Sequence, residues 1–395
     1  MDNYNKLFYY SSLFFNSPVP SYKRFIFEQI AFTQKLIALV GAKGVGKTTL
    51  IHQYMKSLDI DIKEILYVSL DNPIVGNATL LEIAEEFQKR GGKILLVDEI
   101  HYQRDFEKDL KTIYDFFDIK VIFSGSSAIA LKSADLSRRA VVYRVPTLSF
   151  REFLELYLNI KLDSFTLDEI VKNHEEISFE IISKLKPLKY FQEYLEYGCY
   201  PFFLEGKEVY FLKLTEAINK TIENDLLQIY SIEPKNISIL KKLLLILCEN
   251  PPGSINISAL SRESRINVRT LYNYLTALHK AELIKMIYFS KKGNALLQKP
   301  DKIILSNANL FHVLCSSVNI GSLRESFFVS MLYNHHIRYA KKGDYIVNDK
   351  YTFEIGGRKK GFTQIKSLPD SYVISDDIEI GSGNKIPLWL FGFLY

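Results

Sequence analysis

The stretch that most constrains the fold is "GAKGVGKTTL", residues 41–50. It matches the phosphate-loop (Walker A) template of a glycine, four residues and then Gly-Lys-Thr. Glycines let consecutive backbone N–H groups face an anion, the lysine reaches the outer phosphates of a nucleotide, and the threonine hydroxyl ligates Mg²⁺. The run therefore predicts nucleotide binding, with a chance match in a flexible turn as the alternative.

The flanking residues favour the phosphate loop over the flexible turn. "KLIALV", which ends at Val40, is typical of a buried strand, and the residues after the loop repeat apolar side chains at helical spacing. Strand, loop and helix in this order are the context that a phosphate loop needs. The residues expected to contact the nucleotide here are Gly41, Ala42, Lys43, Gly44, Val45, Gly46, Lys47, Thr48 and Thr49.

A second apolar run, "KILLVDEIHY" at residues 93–102, ends in two acidic residues. It predicts a buried parallel strand, and parallel sheets bind ligands at the carboxyl ends of their strands. We expect Asp98 to hold Mg²⁺ together with Thr48, and Glu99 to orient and deprotonate the water that attacks the γ-phosphate. The predicted cofactors are thus ATP and Mg²⁺. His101 is either structural or close to that water.

Two later stretches of the sequence supply further candidate site residues, and each candidate has an alternative structural role. "IKVIFSGSSA" predicts a strand that ends in small polar residues, and Ser124 and Ser126 either sense the γ-phosphate or cap a helix and form a turn. Arg139, next to Arg138, either stabilises transition-state charge, within the chain or from a neighbouring subunit, or is solvated at the surface. The predicted catalytic residues are therefore Lys47, Glu99 and Arg139.

Together with "LSFREFL" and "YGCYP", these motifs resemble those of prokaryotic AAA-like ATPases of the archaeal-ATPase and STAND branch that have a C-terminal domain of unknown function. The resemblance implies an α/β P-loop NTPase core with a helical lid. In that family a "GGxP"-like element lies in the lid near the adenine. Gly198 and Pro201 match it, although Cys199 replaces the second glycine. Pro201 is therefore expected to contact the nucleotide.

Three helical segments and two strand candidates follow from about residue 236 and predict a winged helix-turn-helix. Asn267 is the expected N-cap of the third helix, with leucines on its buried face. Such modules bind DNA or serve as protein-protein platforms, and both alternatives remain open. The residues predicted to face nucleic acid, on the helix and on a basic wing, are Arg269, Thr270, Tyr272, Asn273, Lys291 and Lys292.

The last segment resembles a restriction-type nuclease, in which acidic residues on a helix and two strands hold Mg²⁺. Glu325, Asp344 and Glu354 resemble those positions, yet Gly356 stands where the catalytic lysine should follow. Without a lysine that activates water and supports the leaving phosphate, efficient cleavage is disfavoured. The sequence thus predicts a degenerate nuclease-like fold that is kept for structure or binding.

The predicted domains are an AAA-like P-loop ATPase domain at 1–150, a helical lid at 151–232, a winged helix-turn-helix at 233–300 and a degenerate nuclease-like domain at 301–395. The predicted function is an ATP-driven switch that couples hydrolysis to the C-terminal modules. The alternatives are a DNA-binding regulator with ATP as a structural cofactor and a metal-dependent nuclease. A protein partner or a homo-oligomer is also open.

Charge and composition further narrow the classes of protein to which this chain can belong. The formal charge of +5 over 395 residues is too small to indicate nucleic-acid binding by bulk electrostatics. The distant cysteines, Cys199, Cys248 and Cys315, exclude a dense disulfide framework and a cysteine-rich zinc site, and fit a reducing cytoplasm. We expect no export signal and no membrane-spanning segment, because apolar stretches are interrupted by polar residues.

Overall fold

The computed structural model describes residues 3–128, 134–230, 232–249, 256–289 and 299–395. Up to residue 230 the elements are α1 (Asn3–Asn16), α2 (Phe25–Gln29), β1 (Leu36–Gly41), α3 (Lys47–Ser57), β2 (Ile65–Ser69), α4 (Leu80–Lys89), β3 (Ile94–Asp98), α5 (Phe106–Phe116), β4 (Lys120–Ser126), α6 (Ala134–Ser137), β5 (Val141–Arg144), α7 (Phe150–Leu158), α8 (Leu167–Lys184), α9 (Pro187–Tyr197), α10 (Lys207–Lys220) and α11 (Leu226–Tyr230). The later elements are α12 (Ile237–Glu249), α13 (Ile257–Ser264), α14 (Val268–Lys280), β6 (Ile284–Ile287), β7 (Lys302–Leu305), α15 (Asn309–Leu314), α16 (Ile320–Met331), β8 (Ile337–Tyr339), β9 (Tyr345–Val347), β10 (Tyr351–Gly356), β11 (Ser371–Ser375) and β12 (Lys385–Pro387).

The chain forms two compact units. The first contains residues 1–146 and 220–233, and the second contains residues 147–219 and 234–395. The stretch 220–233, most of which the sequence assigns to the lid, therefore belongs to the same unit as the phosphate loop. The four predicted domain boundaries remain predictions.

A parallel sheet in the order β2-β3-β4-β1-β5 forms the centre of the first unit. Every residue of β1 and of β3 is buried, which agrees with the apolar runs predicted as buried strands. Because β4 lies between β1 and β3, the carboxyl ends of these three strands lie side by side. This edge brings the phosphate loop and the acidic pair together.

Helix α4 illustrates how local sequence and packing agree in this unit. Thr79 and Glu82 form a capping box that satisfies backbone donors at its N-terminus. Its apolar face is buried, and Phe87 is fully inaccessible within the core cluster. Burial of such a side chain contributes roughly 1.5–3 kcal/mol, so truncation of Phe87 would weaken the unit noticeably.

The second unit begins with helices α7 to α10, which pack through aromatic side chains. Phe150 contacts Tyr194 and Phe393 at ring-centroid separations of 5.5 and 6.0 Å. The backbone oxygen of Tyr395 accepts hydrogen bonds from Ser149 Oγ at 2.7 Å and from Arg151 Nε at 3.0 Å. Tyr395 is therefore part of this unit's core.

Three helices and a two-stranded hairpin follow in the second unit, in the order α12, α13, α14, β6 and β7, with β6 and β7 antiparallel. The expected N-cap is confirmed, because the Asn267 side chain accepts a hydrogen bond from Thr270 N. Leu271, Leu275 and Leu278 are buried. Lys291 and Lys292, predicted on the wing, lie outside the described residues.

A mixed sheet in the order β12-β11-β10-β9-β8 completes the second unit. Strands β8 and β9 pair antiparallel, as do β9 and β10, whereas β10, β11 and β12 pair in parallel. Helix α16 packs against this sheet at β10. The sequence prediction of an α/β module at the C-terminus agrees with this arrangement, while its nuclease-like character remains a prediction.

One disulfide joins Cys248 to Cys315 across 67 residues of sequence, and Cys199 is a free, buried thiol. The sequence analysis did not predict this pair, because the two cysteines lie far apart in sequence without a recognisable spacing. Sequence separation does not restrict a bridge when the fold brings two cysteines together. A single bridge is still not the dense framework that the sequence excluded.

Within the described ranges, no helix is both long enough and apolar enough to span a membrane. Helix α1 packs on β2 in the first unit. Its Tyr4 and Leu7 are buried in that unit's core.

Candidate nucleotide-binding site

The loop between β1 and α3 has the backbone that phosphate binding needs. Gly44 and Gly46 have φ angles of +89° and +99°, a region that favours glycine. Gly41 has a different reason for being glycine, because a Cβ atom there would lie 2.4 Å from the Val145 carbonyl oxygen. Helix α3 begins at Lys47, and the N–H groups of its first turn have no partner within the helix. This end of the helix thus suits an anion.

Lys47 spans the phosphate loop. Its ammonium donates to the carbonyl oxygens of Gly41 and Ala42 at 2.9 and 3.0 Å, and the residue is only 6% exposed. Both of these hydrogen-bond partners are neutral, and a phosphate in the loop would add a negatively charged one.

Asp98 is held by three hydroxyl groups at the end of β3. Thr48 Oγ1 and Tyr67 Oη donate to its Oδ2 atom at 2.6 and 3.2 Å, and the Ser124 hydroxyl donates to its Oδ1 atom. The hydroxyl and the carboxylate of the predicted metal pair are therefore already in contact. Tyr67 was missed by the sequence reasoning, because β2 carries no motif that marks it.

Glu99 follows Asp98 in an unusual conformation. Its φ and ψ angles of 52° and 48° are left-handed, which costs free energy for a residue other than glycine. Its backbone N–H lies 3.2 Å from Ser124 Oγ. Burial raises the pKa of its carboxyl, an effect that Lys47 and His101 partly offset. A carboxylate with a raised pKa is well suited to accept a proton near neutral pH.

His101 and Asp225 extend the site beyond the two motifs. His101 Nδ1 lies 3.5 Å from Glu99 Oε2, and its Nε2 lies 3.3 Å from Asp225 Oδ1. These distances are within ion-pair range, although the His101 nitrogens are not aligned as hydrogen bonds. Asp225 Oδ1 also accepts from Lys43 Nζ at 3.4 Å. Asp225 lies in none of the predicted motifs, and its position became apparent only from the fold.

The donor set fits the predicted cofactors. A hydroxyl and a carboxylate are the hard oxygen ligands that Mg²⁺ prefers, and Thr48 and Asp98 supply them at one point. The first-turn N–H groups of α3 and the Lys47 ammonium supply the complement for phosphate oxygens. No cluster of three or more His, Cys, Asp or Glu side chains arranged for a metal occurs in the parts of the chain that the structure describes.

The predicted serine sensors have different surroundings. Ser124 lies inside β4 and contacts Asp98, so the helix-cap interpretation is wrong for it. Ser126 ends β4, is buried, and its Oγ atom accepts weakly from Ala128 N at 3.4 Å. That contact supports a turn-forming role, and sensing of the γ-phosphate by Ser126 remains a prediction.

Arg139 lies at the opposite edge of the sheet from the phosphate loop. It precedes β5, whose Val141 pairs with Ile37 near the start of β1. Its guanidinium binds Asp115 in a bidentate arrangement at 2.8 and 3.0 Å. Within one chain the arginine therefore lies at the end of the strands opposite the phosphate loop, and action across a subunit interface remains a prediction.

A different arginine supports the loop directly. Arg24 is buried, and its Nη1 atom donates to the carbonyl oxygens of Val45 and Pro146 at 3.0 and 2.7 Å. It ties the phosphate loop to the segment after β5. A lone arginine upstream of the loop gives no sequence signal for this role.

The other predicted site residues lie in the second unit. Gly198 is packed so closely that a Cβ atom would lie 2.6 Å from Tyr194 Cα, and Pro201 begins a 3₁₀ turn. Contact between Pro201 and the nucleotide remains a prediction. On α14, Arg269 and Asn273 are exposed, and Thr270 and Tyr272 are half-buried.

The three predicted nuclease-like carboxylates lie on α16, before β9 and on β10. Glu325 forms an ion pair with Lys302 of β7, and the Lys302 ammonium lies 3.8 Å from Asp344 Oδ1. Glu354 forms an ion pair with Lys360. Burial raises the pKa of the Glu325 carboxyl and of the Glu354 carboxyl, and the lysines offset part of the effect. We refer to these five residues as the carboxylate-lysine cluster.

The packing of the carboxylate-lysine cluster explains why residue 356 is a glycine. The Lys360 side chain crosses over it, so that a Cβ atom at position 356 would lie 2.6 Å from Lys360 Cγ. The Lys360 side chain therefore returns to Glu354 through the space that the glycine leaves free.

Comparison with known families agrees with the geometry of the first unit. Residues 33–154 match the family described as AAA domain, and residues 188–319 match a Domain of unknown function (DUF8612). The first match covers β1, the phosphate loop, β3 and β4. The C-terminal carboxylates lie beyond the second match.

Among solved structures, C. elegans PCH-2 is 13% identical, with coverage of 70% of this chain and 67% of that chain and a TM-score of 0.25. AMPPCP-bound DnaA from Aquifex aeolicus is 15% identical, with coverage of 68% and 91% and a TM-score of 0.26. Likenesses at these TM-scores are too weak to support an argument about this chain.

An uncharacterized protein of Methanocaldococcus jannaschii is 30% identical over 389 residues, which cover 89% of this chain and 82% of that protein. Similarity over this length extends through both compact units. Together with the AAA domain match and the phosphate-loop geometry, it identifies the chain as a member of the same family as the M. jannaschii protein, with an AAA-like P-loop ATPase domain at its N-terminal end.

Proposed function

We propose that the protein is an ATP- and Mg²⁺-dependent ATPase that acts as a nucleotide-driven switch for its C-terminal modules. The observation that supports this most strongly is the convergence of Lys47, Thr48, Asp98 and Glu99 at one edge of the parallel sheet. Each has the chemical group that its predicted role requires. The loop backbone and the start of α3 complete the phosphate site.

In this proposal the nucleotide is held by the chain before any bond changes. The N–H groups at the start of α3 bind phosphate oxygens, and the Lys47 ammonium, which lies over the loop, binds the β- and γ-phosphates. Thr48 and Asp98 hold Mg²⁺, which when bound neutralises charge on the phosphate oxygens. Tyr67 and Ser124 keep the Asp98 carboxylate oriented.

Glu99 provides the base for hydrolysis. Its carboxylate accepts a proton from water while the water oxygen bonds to the γ-phosphorus, and the bond from that phosphorus to the bridging oxygen breaks to leave ADP and phosphate. The raised pKa of Glu99 makes it a stronger base than an exposed glutamate. Because the acceptor is a carboxylate beside the loop, water is the expected attacking group.

The proposal is tested by steady-state ATP turnover of the wild-type protein and of Glu99→Gln. We expect turnover by the wild type in Mg²⁺ and its loss in Glu99→Gln, with ATP binding retained. Equal turnover by the two proteins would refute the role of Glu99. The same assay with duplex DNA, at low and moderate salt, asks whether nucleic acid is coupled to hydrolysis.

A DNA-binding regulator with ATP as a structural cofactor is the second candidate. The exposed side chains of Arg269 and Asn273 on α14, within three helices and an antiparallel hairpin, support it. Duplex binding that weakens with salt and is lost in Arg269→Ala would favour this candidate. ATP turnover indifferent to DNA would instead favour a protein partner or a second copy of the chain.

We further propose that the nuclease-like module is kept for structure or binding rather than cleavage. In the carboxylate-lysine cluster, Lys302 contacts two of the carboxylates and Lys360 contacts the third. A metal ion would have to displace ammonium groups that already neutralise these acids. Plasmid cleavage that depends on Glu354 would contradict this part of the proposal.

A further inference from the structure

Residues 220–233 are separated from the ATPase core by more than seventy residues, yet they belong to the same compact unit. Thr221–Asp225 form a π-helical turn, followed directly by α11. Ile222 and Leu226 are buried, and the Tyr230 hydroxyl reaches the Ala128 carbonyl oxygen at 3.4 Å. Single π-helical turns change the direction of side chains within a helix and are frequent at functional sites. We call residues 220–233 the return segment.

Asp225 is the side chain that the return segment places beside the phosphate loop. Its side chain is 2% exposed and lies within 3.4 Å of both Lys43 Nζ and His101 Nε2. His101, whose side chain is 1% exposed, contacts Glu99 with its other ring nitrogen. A continuous series of contacts thus runs from the loop lysine through Asp225 and His101 to Glu99.

The charges along this series depend on one another. Burial by itself would raise the pKa of Asp225, but His101 and Lys43 lower it below the ordinary value. Lys43 shows the converse, since burial would lower its pKa and Asp225 raises it above the ordinary value. Lys43 stands at a position where the phosphate-loop template accepts any residue, so the template does not explain it. Its pairing with Asp225 does.

A contribution to the stability of the fold does not by itself explain the buried contacts of Asp225 with Lys43 and His101. A buried ion pair is weak support for stability, because the desolvation of both ions offsets most of their attraction. The Asp225 contacts lead instead to the two places where hydrolysis depends on geometry, the phosphate loop and Glu99. Glu99 also has a left-handed backbone conformation, which persists only where neighbouring groups hold it.

We propose that Asp225 is a positioning residue for ATP hydrolysis, which holds His101 so that this imidazole orients the Glu99 carboxylate toward the attacking water. This inference rests on the proposed ATPase function. Asp225 touches neither water nor nucleotide in this role and acts through His101. Through Asp225, the return segment therefore influences the hydrolytic step directly, although it follows helices α7 to α10 in sequence.

The role predicts a loss in kcat with little change in nucleotide affinity. We would compare the full-length wild type with Asp225→Asn, His101→Gln and Glu99→Gln, measuring kcat and KM for ATP and the Kd of a fluorescent ATP analogue. Glu223→Gln, an exposed carboxylate on the same turn, is the matched control. We expect Asp225→Asn and His101→Gln each to lower kcat by about tenfold or more, with Kd changed less than about threefold. The control should match the wild type.

A double variant separates positioning from general weakening. If Asp225 acts through His101, Asp225→Asn/His101→Gln should be no slower than the slower single variant, because the two residues act as one unit. Histidine NMR signals of the nucleotide-free protein give a readout without turnover. Asp225→Asn should shift the His101 resonances, whereas the control Glu223→Gln should leave them unchanged.

The outcomes distinguish this inference from the function on which it rests. Absence of ATP turnover by the wild type, or full turnover by Glu99→Gln, would overturn both. A wild type that requires Glu99, together with Asp225→Asn and His101→Gln variants that retain full kcat, would overturn the positioning role alone. If Asp225→Asn does not fold, His101→Gln decides the question, since it removes the imidazole without removing a carboxylate.

Discussion

Two groups of buried acids in this protein have opposite surroundings. Asp98, in the first unit, is held by the hydroxyl groups of Thr48, Tyr67 and Ser124, which are neutral. Glu325 and Glu354, in the second unit, are each paired with a lysine of their own chain. Hydroxyl groups orient a carboxylate and leave its charge in place, whereas an ammonium group neutralises it.

This difference supports the proposal that chemistry takes place at the phosphate loop and not in the carboxylate-lysine cluster. An oriented carboxylate beside a phosphate loop can still bind a divalent cation, and Glu99 beside it can still accept a proton. In the carboxylate-lysine cluster the positive charge is already covalently part of the protein. Variants at both sites test this contrast.

Lys47→Ala should abolish measurable ATP turnover and weaken ATP binding, because it removes the one ammonium group that spans the loop. We expect kcat/KM to fall by about a thousandfold or more. Lys56→Ala, in the last turn of the same helix, is the control and should retain activity. Normal affinity and turnover in Lys47→Ala would be incompatible with a phosphate-binding loop.

Glu99→Gln should reduce kcat by roughly 10²- to 10⁴-fold while ATP still binds, since the amide cannot accept the proton from water. Turnover and equilibrium binding of ATP should be measured on the same preparation. Glu85→Gln, an exposed glutamate on α4, serves as the control. Loss of ATP binding in Glu99→Gln would point to a structural role for this residue.

Lys302→Met should destabilise the protein by about 3–5 kcal/mol without affecting the phosphate site, because it leaves Glu325 buried without its cation. The loss should be reduced in Lys302→Met/Glu325→Gln, where no buried charge remains unpaired. Thermal or urea unfolding measures both variants. Lys350→Met, at an exposed ion pair with Asp168, should change stability little.

The loss of stability in Lys302→Met is expected to depend on pH. Burial raises the folded pKa of Glu325 above its unfolded value, so the deprotonated carboxyl opposes folding at neutral pH and the protonated form does not. The deficit of Lys302→Met relative to the wild type should therefore shrink as the pH falls from 7.5 through the folded pKa of Glu325. A deficit that grows in acid would show that the lost cation had another partner.

Arg139→Ala should have the smallest effect on turnover of the isolated chain, because Arg139 binds Asp115 at the edge of the sheet opposite the phosphates. We expect kcat to change less than about threefold at low protein concentration. A fall in kcat that appears only at high concentration would support action across a subunit interface. Asp115→Asn, which removes only the partner, is the control.

Much of the nucleotide site was predictable because its residues are close in sequence and the template states what each must do. The strand, loop and helix at residues 36–57 and the acidic end of β3 were expected and are found. The hydroxyl donors of Tyr67 and Ser124 were not assigned to Asp98, since they reach it through strand order. Arg24 and Asp225 were missed entirely, because neither lies in a recognisable motif.

In the C-terminal half, sequence patterns predicted the elements better than their partners. The helices α12 to α14, the antiparallel hairpin and the Asn267 cap follow from apolar spacing and local hydrogen bonding. No local pattern predicts the disulfide between Cys248 and Cys315 or the contact of Lys360 with Glu354. Local patterns determine helices and strands, whereas pairings across many residues depend on packing.

The sequence by itself determined that the chain has a phosphate loop, a buried strand that ends in Asp98 and Glu99, and an α/β core around them. These are properties of residues within one turn or one strand, where backbone geometry leaves few alternatives. Only the tertiary structure decided that the return segment places Asp225 beside Lys43 and His101, and that lysines neutralise the C-terminal acids. Distant side chains meet only after the chain has paid the entropy of closing long loops, and no local pattern records which of them will do so.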